Sequence, residues 1–348
     1  MSINTQQQSG TKAAGPLAGV TVVELAAIGP VPFATFFLQR LGAEIIVIDP
    51  PNDRGLGLAV PPQYDYLMQG KRRRVIDLKA ADGPARLFDV LRTADVLVEG
   101  FRPGTLERLA LSPQALHAVC PWLIIGRCSG WGTASARAHT AGHDINYLAL
   151  SGALSAVGES AKPIPPLNLV GDYGGAGMHL VAGILSALFR RQLDGSGTVV
   201  DASIFEGATS LMTMFYGLAD AGQWQAGRAS NMLDGGAPYY SCYETADGGW
   251  MAVGAIERKF FAAFVQKLQA DDIDIGRQND RDYWPELRMK IGARIKQCTR
   301  DAWDSLFRDT DCCCTPVLDL HHARAHADVA PMFDGAVPKV PLVFTGPK

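Results

Sequence analysis

No stretch of this 348-residue sequence stays apolar for long enough to cross a bilayer; the run VAGILSALF ends at Arg190 and Arg191. No apolar leader opens it either. The first residues, MSINTQQQSGTKAAGP, are small and polar, so a soluble protein is expected. The closing GPK is unlike a peroxisomal S-K-L address, which makes the expected compartment the cytoplasm. A strong excess of charge is also missing. With a net charge of −3 there is no global basic field for nucleic acid or an anionic membrane. The phosphate-cradling motifs are absent: neither G-x-G-x-x-G nor G-x-x-x-x-G-K-[ST] occurs, which disfavours a nicotinamide oxidoreductase and a P-loop NTPase. There is no H-E-x-x-H and no pair of C-x-x-C motifs, so no zinc site is expected. Cysteine is sparse, with seven residues at irregular spacing, and Cys312, Cys313 and Cys314 are consecutive. Neighbouring side chains on a strand point to opposite faces, a poor start for a tetrahedral metal site. Reduced, mostly buried thiols are expected.

What is present is a βαβ rhythm. GVTVVEL (19–25) and EIIVIDPP (44–51) are apolar, β-branched runs that flank a helical pattern over 32–42. RRVIDLK, a helix over 82–94, DVLVEG (95–100) and LIIGRCSGWG (123–132) continue the rhythm. This predicts a parallel sheet covered by helices. A long apolar helix follows Gly174, Gly175 and Gly177. Later, YSCYETADGGWMAVGAIE reads as two strands around a DGG turn, with helices from Lys259 to about Leu306. The expected organisation is a mobile 1–15, a large Rossmann-like α/β domain over 16–205 completed by 319–348, a linker over 206–236, and a small α+β domain over 237–318.

Several residues invite chemistry. His143 and Asp144 head a predicted helix in TAGHDINYLALSG, where the backbone N–H of Asp144 faces outward and could meet a developing oxyanion. Asp172 precedes glycines that permit close approach to the backbone. Glu257 follows an apolar strand and could orient a histidine. Read singly, each has a structural alternative: a core histidine, an N-cap aspartate, a first-turn glutamate. Lys71, Arg72, Arg73 and Arg74 form a cationic run, most simply a solvated face. Arg102 ends a predicted parallel strand, where ligands of open α/β sheets bind. Tyr147 lies one turn after His143 and either shapes a pocket or packs.

Taken in order, GPLAGVTVVELAAIGP, LGAEIIVIDPP, DVLVEGFRPG, AGHDINYLALSG, PPLNLVGDYGGAG, NMLDGGAPYY, MAVGAIE, QNDRDYWPE and TDCCCTPVL resemble the family III CoA-transferase superfamily. Within it they are similar to the α-methylacyl-CoA racemase branch. The resemblance runs from about Pro16 to about Leu318. It implies an interlocked homodimer and an acyl-CoA substrate, with no separate cofactor, no metal and no nucleic-acid partner. It implies racemisation of 2-methylacyl-CoA thioesters by 1,1-proton transfer. His143 and Asp172 would be the two acid/base groups, Glu257 would pair with the histidine, and Asp144 would offer its N–H to the enolate. The transferases of the superfamily use the aspartate as a nucleophile, so CoA transfer through Asp172 is the alternative. For CoA, the candidate contacts are Arg102, Lys71, Arg72 and Tyr147. Where relatives often carry an arginine after the acidic end of the second strand, Pro50 and Pro51 follow Asp49, and Arg54 is the expected replacement. The chain also closes at VPLVFTGPK, short of a segment that relatives often add.

Overall fold

A computed structural model describes residues 15–52, 55 and 57–345. The chain divides into two units. The first takes in the chain up to Gly152, Pro166–Met212 and the stretch from Lys339; the second is Ala153–Pro165 with Thr213–Pro338.

In the first unit, six strands form one parallel sheet: β1 (Thr21–Leu25), β2 (Glu44–Asp49), β3 (Arg72–Val75), β4 (Val96–Glu99), β5 (Ile124–Ser129) and β6 (Val199–Ser203). Their order is β3-β2-β1-β4-β5-β6, the doubly wound arrangement. β1, β2, β4 and β5 carry consecutive apolar residues because both sheet faces are covered there, while β3, RRRV, is an exposed edge. Val22, Ile45, Val47, Val96, Val98 and Ile124 point into one core, and Val23, Ile46, Ile48, Leu97 and Ile125 into the other. Each such side chain contributes roughly 1.5–3 kcal/mol on burial. The helix Met178–Asp194 lies close on the first face, where Gly126 leaves room for Leu180 and Ile184. The sheet order reverses between β1 and β4, and the loops after these two strands flank the crevice where ligands of such sheets bind.

In the second unit, β7 (Tyr240–Glu244), β8 (Trp250–Gly254) and β9 (Cys314–Val317) form an antiparallel sheet, the first pair joined across the DGG turn. The helices Arg258–Lys267, Trp284–Ile295 and Arg300–Phe307 bury Phe261, Phe264, Leu287, Ile291 and Trp303 with Tyr243, Met251 and Val253 of the strands. Cys312, in the turn before β9, and Cys314, its first residue, are buried, while Cys313 between them is exposed in the left-handed region at φ 48°. The segment 206–236 carries most of the helix Ile204–Leu211 and the helix Thr213–Asp220. Among the described residues, no helix is long and apolar enough to cross a membrane.

Candidate active site

The chain around Asp172 is wound more widely than an α-helix. Leu169–Gly177 is π-helical and runs directly into the helix Met178–Asp194. Such turns sacrifice regular hydrogen bonding and need outside support. Glycines supply it by removing side chains. Gly175 meets Gly207 of the helix Ile204–Leu211 backbone to backbone, and a Cβ on Gly207 would collide with the Gly175 carbonyl. On the other side, Tyr173 stacks on Phe33 of the helix Pro30–Arg40, with ring centroids 4.3 Å apart and planes 9° from parallel.

This turn presents the Asp172 carboxylate to the loop that follows β1. A Cβ built on Gly29 would lie 2.9 Å from Asp172 Oδ2, and Gly29 adopts φ +70°, so glycine is required there twice over. The Asn168 side-chain amide donates to Asp172 Oδ2 at 3.3 Å. Burial is the main cause that pushes the Asp172 carboxyl up from its ordinary value of 3.8 to about 6; the charge of Asp144 adds to it, and Asn168 and His143 pull against it. The structural reading of Asp172 as an N-cap therefore does not apply, since it lies inside the turn.

His143 is the N-cap of the helix Asp144–Leu150, with extended φ −133° and ψ 172°. Its backbone N–H donates to Asn146 Oδ1 at 3.0 Å, and its carbonyl accepts from Asn146 N at 2.8 Å, which anchors the helix start. The residue is exposed and close enough for its charge to act on Asp172. Asp144 behaves differently. Its side chain is 9% exposed, and Oδ1 accepts the Asp172 backbone N–H at 2.7 Å. Its Oδ2 has no hydrogen-bond partner among the described residues. Burial raises its proton affinity too.

Tyr147 is a core side chain, 4% exposed and edge-on to Trp131 at 4.6 Å. Gly130 and Gly142 make room for it. Burial pushes its phenol up to about 12, with the Asp172 charge adding to this and Arg102 opposing it. It supports the helix from below and does not fit a direct contact to CoA. Arg102 is exposed in the loop after β4, beside the crevice.

The cationic run separates into different roles. Lys71 is a correction: its ammonium is enclosed, bonded to Glu24 Oε2 at 2.8 Å, Thr35 Oγ1 at 2.7 Å and the Pro32 carbonyl at 3.1 Å. With all three donor positions taken, it has none left for a phosphate. Arg72 lies on the edge strand β3, ion-paired with Glu44. Arg73 grips Asp49 with two bonds of 2.7 Å. The acidic end of β2 is thus neutralised by the neighbouring strand. Arg54 lies outside the described residues.

Glu257 belongs to the second unit, as the residue before the helix Arg258–Lys267. Its carbonyl accepts from Phe260 N and Phe261 N, both at 3.0 Å, while its side chain makes no capping bond. The carboxylate is exposed. Gln278, 3% exposed, fixes the loop by donating to the carbonyls of Ala255 and Ile256 at 3.1 and 2.8 Å.

The first unit thus gathers His143, Asp144 and Asp172 above Tyr147 at one end of the sheet, and the second carries Glu257. Asn168, Gly29 and the Asp144 side chain belong to the site and were not expected. Asn168 precedes Asp172 by four residues, a helical spacing, but Pro165 and Pro166 before it read as loop. Among the described residues, no group of three or more His, Cys, Asp or Glu side chains could hold a metal ion.

Comparison with known proteins bears on this arrangement. The family described as CoA-transferase family III matches residues 17–333. The chain is 41% identical over 313 residues to the alpha-methylacyl-CoA racemase of Homo sapiens, covering 89% of this chain and 80% of that protein. It is 34% identical over 313 residues to a CaiB/baiF CoA-transferase family protein of Caenorhabditis elegans, covering 89% and 88%. The crystal structure of a CAIB/BAIF family protein from Brucella suis superposes with a TM-score of 0.79 over 95% of this chain and 93% of that one; at 22% identity this speaks for the fold alone.

Proposed function

The chain belongs to CoA-transferase family III, and from that premise we propose that it racemises 2-methylacyl-CoA thioesters by 1,1-proton transfer at the α-carbon. One group removes the α-proton and the thioester becomes an enolate. The opposite group returns a proton to the other face. Each group must act as acid in one direction and as base in the other, so both need proton affinities near working pH. An ordinary aspartate is too weak a base and, at neutral pH, never an acid. The observation that carries the reading is Asp172, held in the π-helical turn against Asp144 with its carboxyl pushed up to about 6 by burial, which lets it act as acid and as base near neutral pH.

In this reading His143 serves one face and Asp172 the other. The Asp144 N–H, at the first helical position, has no carbonyl of its own helix to bond and receives the enolate oxygen. Asn168 steadies the Asp172 carboxylate. Arg102 meets the CoA phosphates. The chain works as a homodimer, in the cytoplasm, and needs no further cofactor because CoA comes with the substrate.

The test is proton NMR of a 2-methylacyl-CoA incubated with the protein in deuterated water, without a second acid. Loss of the α-proton signal, collapse of the methyl doublet and loss of optical activity are expected. A persistent α-proton, with CoA moving to an added carboxylic acid, would replace the proposal with CoA transfer through Asp172.

A further inference from the structure

Asp144 occupies an unusual position between the two halves of the site. It begins the helix that carries His143 at its cap, and its side chain reaches across to the π-helical turn that carries Asp172. Oδ1 accepts the Asp172 backbone N–H at 2.7 Å. Gly171, the residue just before, has no side chain to obstruct this, and a Cβ there would collide with Oδ1. The carboxylate is 9% exposed and leaves Oδ2 unpartnered among the described residues. A buried carboxylate with one idle oxygen is costly for a bond that a neutral amide could also accept. Its charge therefore calls for a reason beyond holding the backbone.

We propose that the Asp144 side chain is a positioning residue for Asp172: it ties the base-bearing turn to the helix start that holds His143, and its carboxylate adds to burial in favouring the protonated form of Asp172. This rests on the racemase reading and deepens it. The tether sets the distance between the two proton-transfer groups, because the His143 backbone and the Asp172 backbone are both anchored to one residue. The charge acts across that same short span. The other charge that acts on Asp172 is that of His143, which opposes Asp144, while Cys128 of β5 and Tyr147, which feel the Asp172 charge, are kept protonated by burial. The helix Pro30–Arg40 packs the Phe33 ring on the turn, and the Gly29 backbone before it faces the Asp172 carboxylate. On the helix Ile204–Leu211, Glu206 is engaged by the Ser203 hydroxyl.

Two substitutions separate tether from charge. Asp144→Asn keeps an acceptor for the Asp172 N–H and removes the charge; Asp144→Ala removes both. The readouts are kcat for racemisation and the pH at which its acid limb falls. Expected for Asp144→Asn is a kcat loss smaller than that of Asp144→Ala, with the acid limb moved to lower pH. Expected for Asp144→Ala is a loss of about 10²-fold in kcat, the cost of a displaced catalytic group, with KM little changed. Parental kinetics in Asp144→Ala would overturn the proposal. So would an acid limb in Asp144→Asn that stays in place, and if Asp144→Ala fails to fold this second result alone decides. Asp172→Asn is run alongside. If that variant still exchanges the α-proton of both substrate epimers at the parental rate, the assignment of Asp172 as a base is what has failed.

Discussion

Replacing Asp172 by asparagine should stabilise the protein at neutral pH while abolishing racemisation. Burial and the neighbouring Asp144 raise the Asp172 carboxyl from 3.8 to about 6. In the unfolded chain it titrates near 3.9. Between these values the folded protein binds more protons than the unfolded one, so stability falls as pH rises through the window. Below about pH 4 both states are protonated and the group has no effect. Above about pH 6.5 the folded state carries an unfavourable anion. At about 1.4 kcal/mol for each pH unit, the full effect is about 3 kcal/mol. Partial exposure of the turn reduces this to about 1–2 kcal/mol. An asparagine at 172 is neutral throughout and can still accept the Asn168 bond through its carbonyl. Urea unfolding of both proteins at pH 4.5, 5.5, 6.5 and 7.5 gives the difference directly. The variant should gain about 1–2 kcal/mol at pH 7.5 and about a third of that at pH 4.5. An advantage that does not change with pH, or a variant less stable at pH 7.5, would refute the account of Asp172 as a strained base.

Gly29→Ala places a methyl 2.9 Å from Asp172 Oδ2 at φ +70°, and steady-state kinetics should show kcat reduced about 10-fold or more with a nearly parental KM. Lys71→Met leaves Glu24 charged and unpaired in the core, and urea unfolding should register a loss of about 3–5 kcal/mol that Glu24→Leu in the same chain largely restores. Arg102→Ala should do the reverse, raising KM for acyl-CoA about 5–10-fold while stability stays within about 0.5 kcal/mol. Gly207→Ala forces a methyl into the Gly175 carbonyl; unfolding should show a loss of about 2–3 kcal/mol, accompanied by lower kcat because the Asp172 turn is displaced.

Much of the sheet was legible from local pattern. Val22–Val23 and Ile45–Ile48 are apolar at consecutive positions, the pattern of a strand buried on both faces. The hairpin of the second unit was visible in its turn, although the third strand was not: CTPV is short, and Pro316 disguises it. The π-helical turn had no signature beyond its glycines. Its width is imposed by what packs on it, the Gly207 backbone on one side and the Phe33 ring on the other, and those partners are distant in sequence.

The candidate chemistry divides in the same way. His143, Asp172 and Glu257 could be named from an ordered set of motifs, because each motif keeps its residue type and spacing wherever the chain folds. The sequence also determined that no net charge and no phosphate-cradling glycine motif would direct the protein to other ligands. Only tertiary structure decided which charges are usable. Lys71 and Arg102 are equally cationic on paper, yet β1 and the helix Pro30–Arg40 close around Lys71, while Arg102 stays exposed beyond β4. Asp144 and Asp172 are both aspartates beside short helical segments, and it is burial and mutual approach that give one an idle oxygen and the other a proton affinity close to that of a histidine. Desolvation and charge–charge distance depend on which atoms meet in space, and the order of residues along the chain does not record that.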